Sequence, residues 1–189
     1  MVGGDLINRC KWAEAHILLQ QYHDIEWGIP CYDDNKLFEC LTLEGAQAGL
    51  SWLTVLKKKE HYQNAFCKFN IQKVAAFTEE DFQSLLANSH LIQHKLKLKS
   101  VSHNANCILV IQEEFGSFSN YLWSFVHHKP IINLWVNQED VPASTELSQT
   151  LSKSLKSYGF KFVGPTICYS FMQAIGMVND HTIDCFKTN

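Results

Sequence analysis

Asp33-Asp34-Asn35-Lys36-Leu37-Phe38-Glu39-Cys40-Leu41-Thr42-Leu43-Glu44-Gly45-Ala46-Gln47-Ala48-Gly49 is the stretch on which the fold class turns. Paired aspartates supply a side-chain oxygen for the first free amides of a helix, and Gly49 suits its end. Between them, positions 37, 41, 44 and 48 follow helical spacing and share one face. Leu37, Leu41 and Ala48 make that face apolar, yet Glu44 stands within it. A carboxylate in an apolar stripe is costly unless it is hydrogen-bonded or serves a ligand. Glu44 therefore reads either as a ligand-facing acid or as a salt-bridged side chain at the edge of the stripe.

The flanking sequence repeats the helical pattern. A second segment starts near Ser51 with Trp52, Val55 and Leu56 ahead of Lys57-Lys58-Lys59. Thr78-Glu79-Glu80-Asp81 has capping-box spacing before Phe82, Leu85 and Leu86. After a break at Asn88-Ser89-His90, the spacing predicts a helix resuming at Ile92 and running through Leu96 toward Val101. Further helices are expected from Ser148 to Tyr158, stopped by Gly159, and from Pro165 through Ala174 toward Gly176. Alternating strand patterns, repeats and linkers are absent. The expectation is an all-α domain spanning 1–189, both termini joining a shared body of two closely packed lobes.

Composition narrows the classes. No apolar run approaches the ~18 residues of a membrane span, and Met1-Val-Gly-Gly-Asp lacks the parts of a secretory signal. The expected protein is soluble and cytoplasmic, with no membrane partner. Seven scattered cysteines then read as buried thiols or metal ligands rather than a disulfide framework. The net charge of −3 conceals a basic island: residues 57–100 carry +4, against −5 before and −2 after. Such an island can face phosphate, using lysines because Arg9 is the sole arginine.

Two further groupings could carry chemistry. Cys10, His23, His181 and Cys185 are two thiols and two imidazoles, the complement of a closed tetrahedral zinc site. The spacing of the second pair allows one helical turn to aim both side chains together. The same four residues also read as two buried thiols and two capped histidines. Trp12, Tyr22, Trp27 and Trp52 lie near the Glu44 helix, either as ordinary core or as π faces around a flat cation.

Several long words are more specific. Arg9-Cys10-Lys11-Trp12, Tyr22-His23-Asp24-Ile25-Glu26-Trp27-Gly28 and Leu43-Glu44-Gly45-Ala46-Gln47-Ala48-Gly49-Leu50-Ser51-Trp52 resemble the DNA-3-methyladenine glycosylase I family. So does Gly159-Phe160-Lys161-Phe162-Val163-Gly164-Pro165-Thr166, continuing to Val178-Asn179-Asp180-His181, and the likeness runs from about residue 8 to 187. The resemblance implies a helix-hairpin-helix fold, with the hairpin at about 79–105. It implies one structural zinc on Cys10, His23, His181 and Cys185, closing the chain. Glu44 and Tyr22 match positions that bond the excised base, Trp52 the ring that stacks on it, and Trp12 and Trp27 would shape the pocket. Leu50 and Lys97 match positions that face DNA.

The implied reaction is monofunctional hydrolysis of the N-glycosidic bond of flipped-out 3-methyladenine in double-stranded DNA, without lyase chemistry, by a monomer. Relatives typically carry glycine in place of His90, arginines in place of Gln93 and Lys95, and in some cases tyrosine in place of Leu19. Those departures sustain an alternative, a non-catalytic alkyl-base or DNA-binding module with an impaired hairpin, and a plainer one, a zinc-stabilised helical scaffold.

Overall fold

The computed structural model describes residues 7–188; the opening Met1–Asp5, on which the leader reading rests, lies outside them. A 3₁₀ turn (Lys11–Ala15) leads into α1 (Ile17–Ile25), then α2 (Asp34–Gln47) and α3 (Trp52–Ala65). Next come α4 (Ile71–Ala75), α5 (Glu79–Ala87), the long α6 (Lys95–Phe115) and α7 (Phe118–Ser124). The chain finishes with β1 (Ile131–Ile132), α8 (Glu146–Ser157), α9 (Pro165–Ala174) and β2 (Val178–Asn179). It is mostly helical, and none of the described helices is long and apolar enough to cross a membrane.

Helix α2 lies at the centre, against α3, α6, α7 and α9. Its start is held twice. Asp33 accepts the Lys36 amide at 2.8 Å, and Asp34 accepts the Phe118 and Ser119 amides and the Gln112 side chain, binding the first turn of α7 to the end of α6. Leu37 and Leu41 are buried as the stripe requires, and so is Glu44; Phe38, Leu43 and Ala46, outside the stripe, are buried as well. Ala48 departs from that expectation: the helix ends at Gln47, leaving Ala48 exposed as its C-cap. A lysine braces this end. Lys97 turns its ammonium inward from α6 and donates to the Ala46 and Ala48 carbonyls at 3.0 and 2.7 Å, satisfying acceptors that the helix end leaves free.

The Thr78–Asp81 capping box forms, and α9 opens on Pro165. Two helix starts shift from their expected places. Helix α6 begins at Lys95 behind a His94 cap, so Ile92 belongs to the turn, and α8 begins at Glu146 behind a Thr145 capping box. Two corrections concern long-range closure. Ile131–Ile132 pairs in parallel with Val178–Asn179, and Trp135 bridges to Thr182, strand pairing too short to leave a periodic signal. His181 and Cys185 sit in a turn closed by the Cys185 amide on the Thr182 carbonyl, not on a helix. Gly176 makes this end of the fold possible: its φ is +69°, and a Cβ there would come within 2.4 Å of the Ile29–Pro30 backbone.

Candidate functional site

The break between α2 and α3 builds one side of a cavity. Gly49, at φ +83°, carries the chain out of α2, Leu50 is left 40% exposed, and Ser51 caps α3 by accepting the Thr54 amide. Trp52 therefore projects from the first position of α3 toward α1, where its ring lies 5.2 Å from that of Tyr22. Trp12, from the 3₁₀ turn, meets Trp27 edge-on at 5.1 Å. These four rings, with Glu44, Gln47, Gln138, Ser170 and Gln173, line a cavity of about 260 Å³.

Glu44 is 5% exposed, and among the described residues no hydrogen bond or neighbouring charge offsets the burial of its carboxyl. Burial alone pushes it up from 4.5 to about 8, because the charged form has lost water and gained nothing. The Tyr22 hydroxyl is raised as well, by burial first and then by the neighbouring acid. Among the described residues, two polar atoms of this lining are buried without partners, the Trp52 Nε1 donor and the Gln138 Oε1 acceptor. Native folds satisfy nearly all such groups, so a cluster of unsatisfied ones in one cavity marks a place for a guest. No lysine lines it.

Asp180 fixes the far wall. Its carboxylate accepts from Asn133 Nδ2, Trp135 Nε1, Tyr169 OH and Gln173 Nε2, all at 2.6–2.7 Å. That one group joins the loop after β1 to α9 and to the segment carrying His181. Gln47 and Asp180 stand inside the words quoted above, and Ser170 and Gln173 between the last two of them, yet apolar periodicity does not single them out. Gln138 stands in an irregular loop and leaves no sequence signal.

Behind Trp27 the four predicted ligands converge. Cys10, His23, His181 and Cys185 are buried, and their donor atoms lie within 4.8 Å of one another. Cys10 Sγ and Cys185 Sγ lie 3.5 Å from His181 Nδ1, and Cys185 Sγ lies 3.4 Å from His23 Nε2. A tetrahedral zinc with ordinary bond lengths has sulfur-to-nitrogen edges of about 3.6 Å. The donor set therefore fits such an ion. Without a cation, burial pushes the Cys10 thiol up to about 11 and the His181 imidazole down to about 4. His23 is oriented from behind: its Nδ1 meets Asp24 at 2.9 Å, and Arg9 grips the same carboxylate through two nitrogens. Trp27 packs edge-on against His181 at 4.5 Å, so the cluster supports the cavity wall directly.

Part of the basic island turns inward. Lys59 pairs with Glu26 and Glu39, and Lys97 with the end of α2. Lys57, Lys68, Lys73, Lys95 and Lys99 stay exposed. In the α5–α6 turn, His90 keeps an ordinary negative φ, so the conformational freedom of glycine is not used there. Its ring stacks on His61 at 4.4 Å, and Lys58 donates to its carbonyl.

A mostly helical body thus sets a buried acid among indole and phenol rings around one cavity, beside a Cys/His cluster. A methyladenine glycosylase profile matches residues 12–188. The DNA-3-methyladenine glycosylase of Haemophilus influenzae is 47% identical over 180 residues, covering 95% of this chain and 97% of that one. DNA-3-methyladenine glycosylase 1 of Escherichia coli K12 is 48% identical over 179 residues, covering 95% and 96%. A Staphylococcus aureus 3-methyladenine DNA glycosylase I structure, described as the basis of 3-methyladenine recognition, superposes with a TM-score of 0.93 at 40% identity, covering 97% of each chain. The chain belongs to the methyladenine glycosylase family.

Proposed function

We propose that this protein excises 3-methyladenine from alkylated DNA as the first step of base excision repair, and that the cavity around Glu44 holds the flipped-out base. The carrying observation is the buried, partnerless Glu44 carboxyl among Tyr22, Trp12, Trp27 and Trp52. Two relatives of known structure, each 40% identical, support the assignment. One is a tyrosine-to-phenylalanine variant bound to 3-methyladenine, the other a glutamate-to-glutamine variant, and the two positions are numbered 22 apart, as Tyr22 and Glu44 are.

The chemistry asks little of the protein. Methylation at N3 leaves the purine cationic, so the bond from sugar C1′ to N9 is already weak. When it breaks, its electron pair returns to the ring and neutralises it; water adds hydroxide to C1′ and releases a proton. An alkylated base also unstacks more cheaply than a sound one. The aromatic rings hold the flat cation by their π faces, with Trp52 stacking on it. Glu44, ionised by the cation, accepts its N–H and offsets positive charge developing on the sugar. A lining without lysine supports simple hydrolysis over lyase chemistry.

The α5–turn–α6 unit is read as the helix-hairpin-helix element of a single two-lobed domain, gripping phosphate through backbone amides and the exposed lysines. Leu50 is presented to the gap left by the base, and Lys97 serves DNA binding by bracing the turn that carries Leu50. Cys10, His23, His181 and Cys185 would hold one zinc, whose role is to join the chain ends. The working species is a monomer in the cytoplasm. Methylated duplex DNA tests the reading: this chain releases free 3-methyladenine and Glu44→Gln releases far less. Binding without release at any protein concentration would instead favour the non-catalytic module.

A further inference from the structure

We infer that Gln138 is a specificity-determining residue of this pocket, accepting a hydrogen bond from the exocyclic amino group of the base. The inference rests on the base-binding reading of the cavity and adds a contact from a loop that the family words do not reach. Gln138 Oε1 is buried without a partner, and the side chain lines the same cavity as Glu44 and Trp52.

The residue is held in place. It opens the short 3₁₀ turn Gln138–Asp140, which Asn137 and Asp140 close with a reciprocal capping box. Asn133 and Trp135, a few residues before it, are fixed to Asp180. Glu139 approaches Lys11 at 3.8 Å, beside Trp12 in sequence. The loop thus brings a buried amide oxygen to the same cavity as Glu44 of α2, and a desolvated acceptor discriminates strongly between guests that can and cannot donate to it.

The chemistry of the guest identifies the contact. In a 3-methylated adenine the ring nitrogens carry no hydrogen, so the exocyclic amino group is its only N–H donor. That group has two hydrogens. One serves the Glu44 side of the pocket and the other the Gln138 side, so the amino group is read from two opposed elements. A 3-methylated purine lacking the amino group leaves Gln138 Oε1 unsatisfied.

Calorimetric titration of the full chain with 3-methyladenine and with 3-methylpurine tests this. Gln138→Leu is expected to weaken 3-methyladenine binding about 3- to 10-fold, the effect of one neutral hydrogen bond, while 3-methylpurine changes by less than about twofold. Gln138→Glu, which keeps an acceptor at the same reach, is expected to retain the preference for the amino-bearing ligand. Equal weakening of both ligands by Gln138→Leu, or no change in either, overturns the inference while leaving the pocket assignment standing. If the unaltered chain binds neither ligand, the base-pocket reading fails and the Gln138 contact fails with it.

Discussion

Glu44 costs the empty protein stability, and the sign of its pH dependence follows from its environment. Its pKa rises from 4.5 to about 8 on folding. Between those values the native state holds a proton that the unfolded chain has lost, so stability falls as pH rises through that window and levels off above it. Every tenfold difference in proton affinity between the two states corresponds to about 1.4 kcal/mol. Glu44→Gln removes the dependence: thermal melts should show the variant gaining on the parent from pH 5 to pH 8, while base release collapses. Parallel melting curves across that range would contradict this. Gly28 makes the opposite case, a residue with no latitude. Its φ is +75°, and an added Cβ would lie 2.7 Å from His181 Nε2. Gly28→Ala should lower both the thermal midpoint and the metal content of purified protein.

Helix α2 shows how an element is positioned from both ends by side chains from other elements. Asp34 ties its first turn to α6 and α7, and Lys97 ties its last turn to α6. Hydrogen bonds to charged groups contribute about 1.5–3 kcal/mol each. Lys97→Met, which removes both bonds, should therefore destabilise the chain by about 3 kcal/mol or more and slow base release by loosening the Leu50 turn. The dependence of DNA affinity on salt separates bracing from direct contact. A lysine on a phosphate contributes a slope of about one in a plot of log affinity against log salt. Because the Lys97 ammonium already serves two carbonyls, the slope is expected to stay unchanged in the variant; a decrease of about one would identify Lys97 as a phosphate contact.

Closure of the whole molecule depends on groups far apart in sequence. The Cys/His cluster joins residues near both ends, and both of its histidines pack against Trp27, a wall of the cavity. Chelation of the purified chain should lower its thermal midpoint and weaken 3-methyladenine binding together, and Cys185→Ser should reduce bound zinc and stability in parallel. Unchanged metal content in that variant would remove Cys185 from the ligand set. DNA affinity should be weak and fall steeply with salt, since the exposed lysines offer point charges and the sole arginine is occupied with Asp24. A flat response would count against docking through the lysines.

Helix positions and the anomaly of Glu44 were legible in the chain itself, because caps and a 3.6-residue apolar period are local signals that survive without a fold. Thr78 with Asp81, Pro165, and the stripe through Leu37 and Leu41 all express that local physics. The donor set of Cys10, His23, His181 and Cys185 was legible from its residue types, the spacing of its second pair and the family likeness; its convergence through a turn came with the pairing of β1 with β2 and the fit of Gly176 against Ile29 and Pro30. Tertiary packing alone decided that Lys97 points inward, that Asp180 gathers four donors, and that Gln138 reaches the cavity. Such assignments depend on which groups lose water together, and desolvation is a property of the assembled fold rather than of any neighbouring residues in the chain.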